Sequence, residues 1–169
     1  MKDAFRLAAK TLLRIEEYVV MVTAMASCLM LIAGAFMRYV LSKDFYGMEE
    51  LVVLCALWLY FFGSAIASKN DTHLTADLVI SLIKSKRNKA LLNSVRHGVT
   101  FIICAIGTVW SYNYIVWIFE RGPVTAVLKF PTIYMQIPIL IGFVLMNLYI
   151  LGHLINDIRF LTGKEEKTV

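Results

Sequence analysis

The sequence predicts an all-α integral membrane protein: four transmembrane helices, a short amphipathic interfacial helix between spans 2 and 3, and both termini in the cytoplasm. Three observations carry this. First, 59% of the 169 residues are hydrophobic and only 17% are charged, where a soluble domain is about half apolar and about a quarter charged. Mean hydropathy is +0.70, and a globule of this length cannot hide that much apolar surface. Second, four long stretches contain no Asp, Glu, Lys or Arg: Tyr18–Met37, Leu51–Ser68, His97–Phe119 and Phe130–Asn156. Third, the basic residues between these stretches fall mostly on one side.

A helix needs about 20 apolar residues to cross hydrocarbon about 30 Å thick, and each stretch is sufficient. The chain reads as one membrane domain, 1–169, with spans over about 18–40, 48–68, 92–119 and 132–157. The last stretch exceeds the need, so it tilts or continues into water. Strand-like alternation persists nowhere, which argues against a β-barrel. Met25-Ala26-Ser27-Cys28 resembles a lipoprotein cleavage site, but the apolar run continues for nine residues beyond it. That is too long for a cleaved signal, so the first helix is retained.

Orientation follows from Lys and Arg placement. The N-terminal arm carries Lys2, Arg6, Lys10 and Arg14. The second connection and its margin carry Lys69, Lys84, Lys86, Arg87, Lys89 and Arg96, and the tail carries Arg159, Lys164 and Lys167. The first and third connections hold only Arg38, Lys43, Arg121 and Lys129. The termini therefore face the cytoplasm. Tyr39, Tyr46, Tyr112, Tyr114, Trp117 and Tyr134 fall at the outer interface, where amphipathic rings settle.

Between Lys69 and Lys89, Leu74, Leu78, Leu82 and Ile83 form an apolar stripe, with Asp77, Ser81, Lys84 and Ser85 off it. Asn70, Asp71 and Thr72 offer an N-cap. A helix over about 72–85 would lie flat on the inner surface, either floating on lipid or bracing a partner.

Chemistry is sparse. Cys28, Cys55 and Cys104 lie inside apolar runs, without CxxC spacing or nearby His, and read as buried hydrophobes. No GxSxG, HExxH or phosphate-loop pattern occurs, so an enzyme is not expected. The net charge of +5 lies between apolar runs, which speaks for membrane orientation and against nucleic acid. Carriers and proton paths leave ionisable groups inside the membrane, and no run has one near its middle. Thr23, Ser27, Thr100, Thr108, Gln136 and Asn147 are the deepest polar residues and read as hydrogen bonds between helices. Pro138 is expected to kink the last helix. His97 and His153 both lie toward the inner surface. Two imidazoles at one depth could hold haem, so a haem-binding respiratory anchor is an alternative. A small self-assembling exporter or channel is another.

The densest pattern runs from Arg38 to Asp77. Arg38-Tyr39 closes the first span, and Glu49-Glu50 opens the second at the same surface, where the helix dipole favours acids. These charges should be neighbours, either as a solvated salt bridge pinning the hairpin or as a docking point. Trp58 follows. Gly63, Ser64, Ala65, Ala67 and Ser68 would allow close helix approach. His73 and Asp77, four apart, share a helix face.

Arg38, Tyr39, Glu49, Glu50, Trp58, Gly63, Ala65, His73, Leu74 and Asp77 together resemble the small permease subunit of TRAP (tripartite ATP-independent periplasmic) transporters. Two slots depart: Gly47 stands where that family often has Trp, and Val53 where it often has Arg. The resemblance implies a bacterial inner-membrane subunit of a sodium-coupled transporter for organic acids. It further implies a large elevator-type permease subunit that holds substrate and sodium, and a periplasmic binding protein that delivers substrate. This chain would pack beside the static scaffold of the large subunit, among membrane lipids, with no catalytic, substrate or metal site and no cofactor. Arg38, Tyr39, Glu49, Glu50, Trp58, Gly63, His73 and Asp77 become candidates for partner interfaces. The outer loops Leu41–Met48 and Glu120–Pro131 become candidates for touching the binding protein.

Overall fold

A computed structural model describes residues 2–43, 45–70 and 86–161. Four helices make up nearly all of it: α1 (Lys2–Tyr39), α2 (Met48–Lys69), α3 (Lys86–Arg121) and α4 (Ile133–Leu161). The one β-type pairing among the described residues is an isolated bridge between Val124 and Pro131. The interfacial helix expected over about 72–85 lies outside the described residues, and so do His73 and Asp77.

All four helices are long and apolar enough to cross a membrane. All four run past the charge-free runs, α1 and α3 the furthest. α1 includes the basic N-terminal arm, and α3 starts eleven residues before His97. Lys, Arg, Glu and Leu are good helix formers, so a helix continues where the hydrocarbon stops.

The helices pack in three pairs: α1 with α2, α2 with α4, and α4 with α3. Their spatial order is therefore α1, α2, α4, α3, with α2 and α4 central and α1 and α3 at the flanks. Each flank turns one stripe inward. On α1 it includes Leu13, Glu16, Val20, Thr23, Ser27, Met30, Gly34 and Met37; on α3 it includes His97, Phe101, Cys104, Thr108, Ser111, Ile115 and Ile118. Spacings of three and four alternate, as in a coiled-coil seam. The central core joins Phe62, Ala65, Cys104, Leu145, Met146 and Ile150. Outward faces are apolar as well, including Met25, Ile32, Ile103 and Trp110, as lipid requires.

Close approach is achieved at other glycines than expected. A Cβ at Gly142 would lie 2.7 Å from the Phe61 Cβ, one at Gly107 would lie 2.6 Å from the Phe143 ring, and one at Gly34 would overlap the Met48 thioether. An added Cβ at Gly63 meets no atom within 4 Å among the described residues outside its own stretch of helix, so Gly63 does not set a helix contact there. The fully buried small residue of that stretch is Ala65.

The polar residues of the spans also behave differently from the expectation. Thr23, Ser27, Thr100 and Thr108 each donate to the carbonyl four residues back in their own helix, at 2.7–2.9 Å. A short hydroxyl side chain finds that carbonyl first. Asn147 is the residue of this group that bonds across helices: its Nδ2 donates to Thr108 Oγ1 at 2.8 Å.

Candidate functional site

Polar side chains gather at the two ends of the row. At one end α1 finishes, α2 starts, and the 122–132 connection joins α3 to α4. Here Gly34 and Arg38 of α1, residues 45–50, and Ala126 and Val127 line an open cleft of about 540 Å³.

The cleft is built from backbone constraints. Gly47, before α2, has φ +83°, a left-handed conformation that glycine adopts without a Cβ clash. A Cβ there would also lie 2.7 Å from Leu128. The 122–132 connection folds on itself: Thr125 N–H donates to Phe130 O at 2.9 Å, and Thr132 N–H to Pro123 O at 3.0 Å. Its tip leaves amides without an intraloop acceptor, and Glu50 supplies one. Val127 N–H donates to Glu50 Oε1 at 2.7 Å, and Leu128 N–H to Oε2 at 2.9 Å. One carboxylate thus holds two amides of a loop 77 and 78 residues away, in charge-assisted bonds.

Arg38, Glu49 and Glu50 share this cleft, as their positions suggested, but no ion pair joins Arg38 to either acid among the described residues. The expected hairpin salt bridge gives way to a carboxylate–amide clamp, because Glu50 satisfies two loop donors at once. Arg38 and Glu49 line the cleft with no side-chain hydrogen bond to another of the described residues. Tyr39 is 82% exposed beside it.

Trp58 does something else. Pro138 has no N–H, so the Tyr134 carbonyl, four residues back, loses its helical donor. The Trp58 indole N–H fills the gap, donating to Tyr134 O at 3.0 Å. Trp58 therefore ties α2 to the proline turn of α4.

The opposite end carries three polar ties that the charge-free runs did not reveal, because their acids sit just outside those runs. Tyr149 O–H donates to Glu16 Oε1 at 2.7 Å, and Glu16 is fully buried. Asp157, also buried, accepts from His97 Nδ1 at 2.8 Å. Arg96 Nη2 lies 2.9 Å from His97 Nε2; because arginine only donates, the ring hydrogen sits on Nδ1. His153 Nε2 donates to Lys69 O at 2.9 Å, capping one of the open carbonyls that end α2. The signal was present in the spacing: Glu16 falls on the inward stripe of α1, and Tyr149, His153 and Asp157 recur every four residues.

His97 and His153 do lie at one depth, but their rings stack face to face, with centroids 5.4 Å apart and 21° between planes. Both nitrogens of His97 are engaged, with Arg96 and Asp157, and His153 Nε2 is engaged with the Lys69 carbonyl. A pair of axial haem ligands points nitrogens at a shared iron, and these rings do not.

With four membrane-length helices and both polar ends described, comparison with known proteins becomes informative. The family model for the DctQ component of tripartite ATP-independent periplasmic transporters matches residues 9–160, which takes in the membrane-length part of every helix. The chain belongs to this family. A search of curated proteins finds no match. Membership makes the chain the small component of a TRAP transporter and a multi-pass membrane protein; a transporter component is not an enzyme class.

Proposed function

We propose that this TRAP component sits in a bacterial inner membrane with both termini in the cytoplasm. It braces the static scaffold of a large elevator-type permease subunit in a sodium-coupled uptake system for organic acids. The observation that carries the reading is the distribution of polarity. The acids buried in the row, Glu16 and Asp157, are each bonded within the chain and lie toward one end, and the middle of each span has no ionisable residue. Moving a charged solute needs polar groups along its path. Substrate and sodium sites are accordingly assigned to the large subunit, and no cofactor or metal to this chain.

The mechanical role follows from the row. An elevator moves one domain across the bilayer while another stays fixed, and the fixed part must resist tilting. Helices spaced about 8–10 Å apart in a row spread that anchor sideways, with apolar faces held by lipid. At the outer end, the cleft lined by Arg38, Glu49 and Glu50 takes part in docking the periplasmic binding protein. Lys and Arg abundance at the other end supports this orientation. Gly63, whose surroundings within the chain are open, and Tyr39 are offered as contacts for the large subunit.

Reconstitution tests the reading. Vesicles holding this chain alone should show no sodium-driven accumulation of organic acids, and adding the large subunit and binding protein should produce it. Accumulation by this chain alone would overturn the supporting role.

A further inference from the structure

Glu49 and Glu50 are adjacent acids of the same cleft, yet the structure gives them different jobs. The Glu49 side chain makes no hydrogen bond to another of the described residues and is exposed. Glu50 is occupied on both oxygens by the Val127 and Leu128 amides, at 2.7 and 2.9 Å. Those amides belong to the turn whose residues Ala126 and Val127 line the cleft together with Arg38 and Gly34 of α1. Leu128, next in the turn, packs over Gly47, whose left-handed backbone leads directly into α2. The α3–α4 loop is thus held to the start of α2 from two sides, by a carboxylate clamp and by an apolar contact over a residue without a side chain.

Removing the clamp has a specific consequence. Two donors at the loop tip lose their acceptor, and the wall of the cleft is no longer fixed relative to Arg38. Arg38 itself is untouched, because it makes no bond to Glu50. Preorganisation of a binding surface raises affinity by reducing the ordering cost of association, while an exposed charge contributes mainly to steering and salt dependence. The two residues should therefore separate in experiment.

We propose that Glu50 is a positioning residue for docking: by holding the Val127 and Leu128 amides it fixes the α3–α4 loop as a wall of the cleft, in which the Arg38 guanidinium meets an acidic side chain of the periplasmic binding protein. This rests on the docking role given to the cleft above. Glu50 does not touch the partner; it sets how much order the partner must supply.

The experiment uses the full transporter in nanodiscs, with Glu50→Gln, Glu50→Asp, Glu49→Gln and Arg38→Gln. Co-purification of the large subunit serves as the check on folding. Amide exchange at Val127 and Leu128 reads the clamp, and binding-protein affinity across a salt series reads docking. Glu50→Gln keeps one acceptor oxygen and turns the other into a donor, so exchange should rise about tenfold or more at one at least of the two amides, and docking should weaken about tenfold. Glu50→Asp, which keeps two carboxylate acceptors, should recover part of both effects. Arg38→Gln should weaken docking, flatten the salt slope and leave the two amides as protected as in the unaltered chain. Unchanged exchange in Glu50→Gln overturns the clamp. Docking that falls with Arg38→Gln but not with Glu50→Gln overturns the positioning role and leaves the docking reading standing. Docking indifferent to every variant overturns both.

Discussion

Pro138 shows how one residue assigns work to another far away in sequence. Its ring deletes the N–H that would serve the Tyr134 carbonyl, and Trp58 replaces it from another helix. Trp58→Phe keeps the ring and removes the donor, so the variant should lose about 1–2 kcal/mol, read by denaturant unfolding in detergent. Pro138→Ala restores the helical donor, so the loss from Trp58→Phe should shrink in that background, which a double-mutant cycle measures. Glycines give a second contrast. Gly142→Ala drives a methyl against Phe61, including its carbonyl at 3.1 Å, and should cost about 1–3 kcal/mol. Gly63→Ala meets nothing within 4 Å and should not destabilise the isolated chain, with a gain of up to about 1 kcal/mol from helix propensity. Sequence makes the freed carbonyl of Tyr134 readable, since any proline frees one. It does not name the donor, because Trp58 is 76 positions away. The same holds for Glu50. A helix-opening acid is visible in sequence, and its two amide partners across the α3–α4 loop are not.

Among the elements, α1 is held most lightly. Within its most apolar stretch 6% of residues are buried, against 22–28% in the other three; like α3 it has one packed neighbour, where α2 and α4 have two each. Its seam contains Thr23 and Ser27, whose hydroxyls donate to their own helix; the Cys55 thiol, a weak donor, also reaches Ser27, so Ser27→Ala should change stability by less than about 1 kcal/mol. The Glu16–Tyr149 bond is different, since it joins α1 to α4 across the row. Tyr149→Phe strands a fully buried carboxyl and should cost about 1–3 kcal/mol, read by the same unfolding measurement as a loss larger than that of Ser27→Ala. The four helices were legible because charge-free length is a direct requirement of the bilayer. Their ends were less so, because nothing at Lys2 or Lys86 stops a helix and the polar arms are good helix formers. The buried acids escaped for a related reason: a run defined by the absence of charge ends at Glu17 and at Asp157, although the packed seam continues past both.

The order of helices in the whole molecule was hidden for a deeper reason. In water a helix announces its inner face by hydrophobicity, but in lipid both faces are apolar, so α1, α2, α4, α3 cannot be read from periodicity. Charge asymmetry survives that degeneracy, because Lys and Arg mark sides and not faces. It supplies the orientation on which the docking cleft depends, and that orientation has a direct test. With Cys28, Cys55 and Cys104 replaced, single cysteines are introduced at Tyr46, 81% exposed, and Val127, 53% exposed, and at Lys10 and Arg159 on the other end of the row. A thiol reagent that cannot cross the inner membrane, added to cells with a permeabilised outer membrane, should label the first two and spare the second two. Lysis of the inner membrane should then expose all four. The reverse pattern would turn the cleft toward the cytoplasm, where a periplasmic protein cannot reach Arg38. It would end the docking role while leaving the row, the Trp58 tie and the Glu50 clamp as they are.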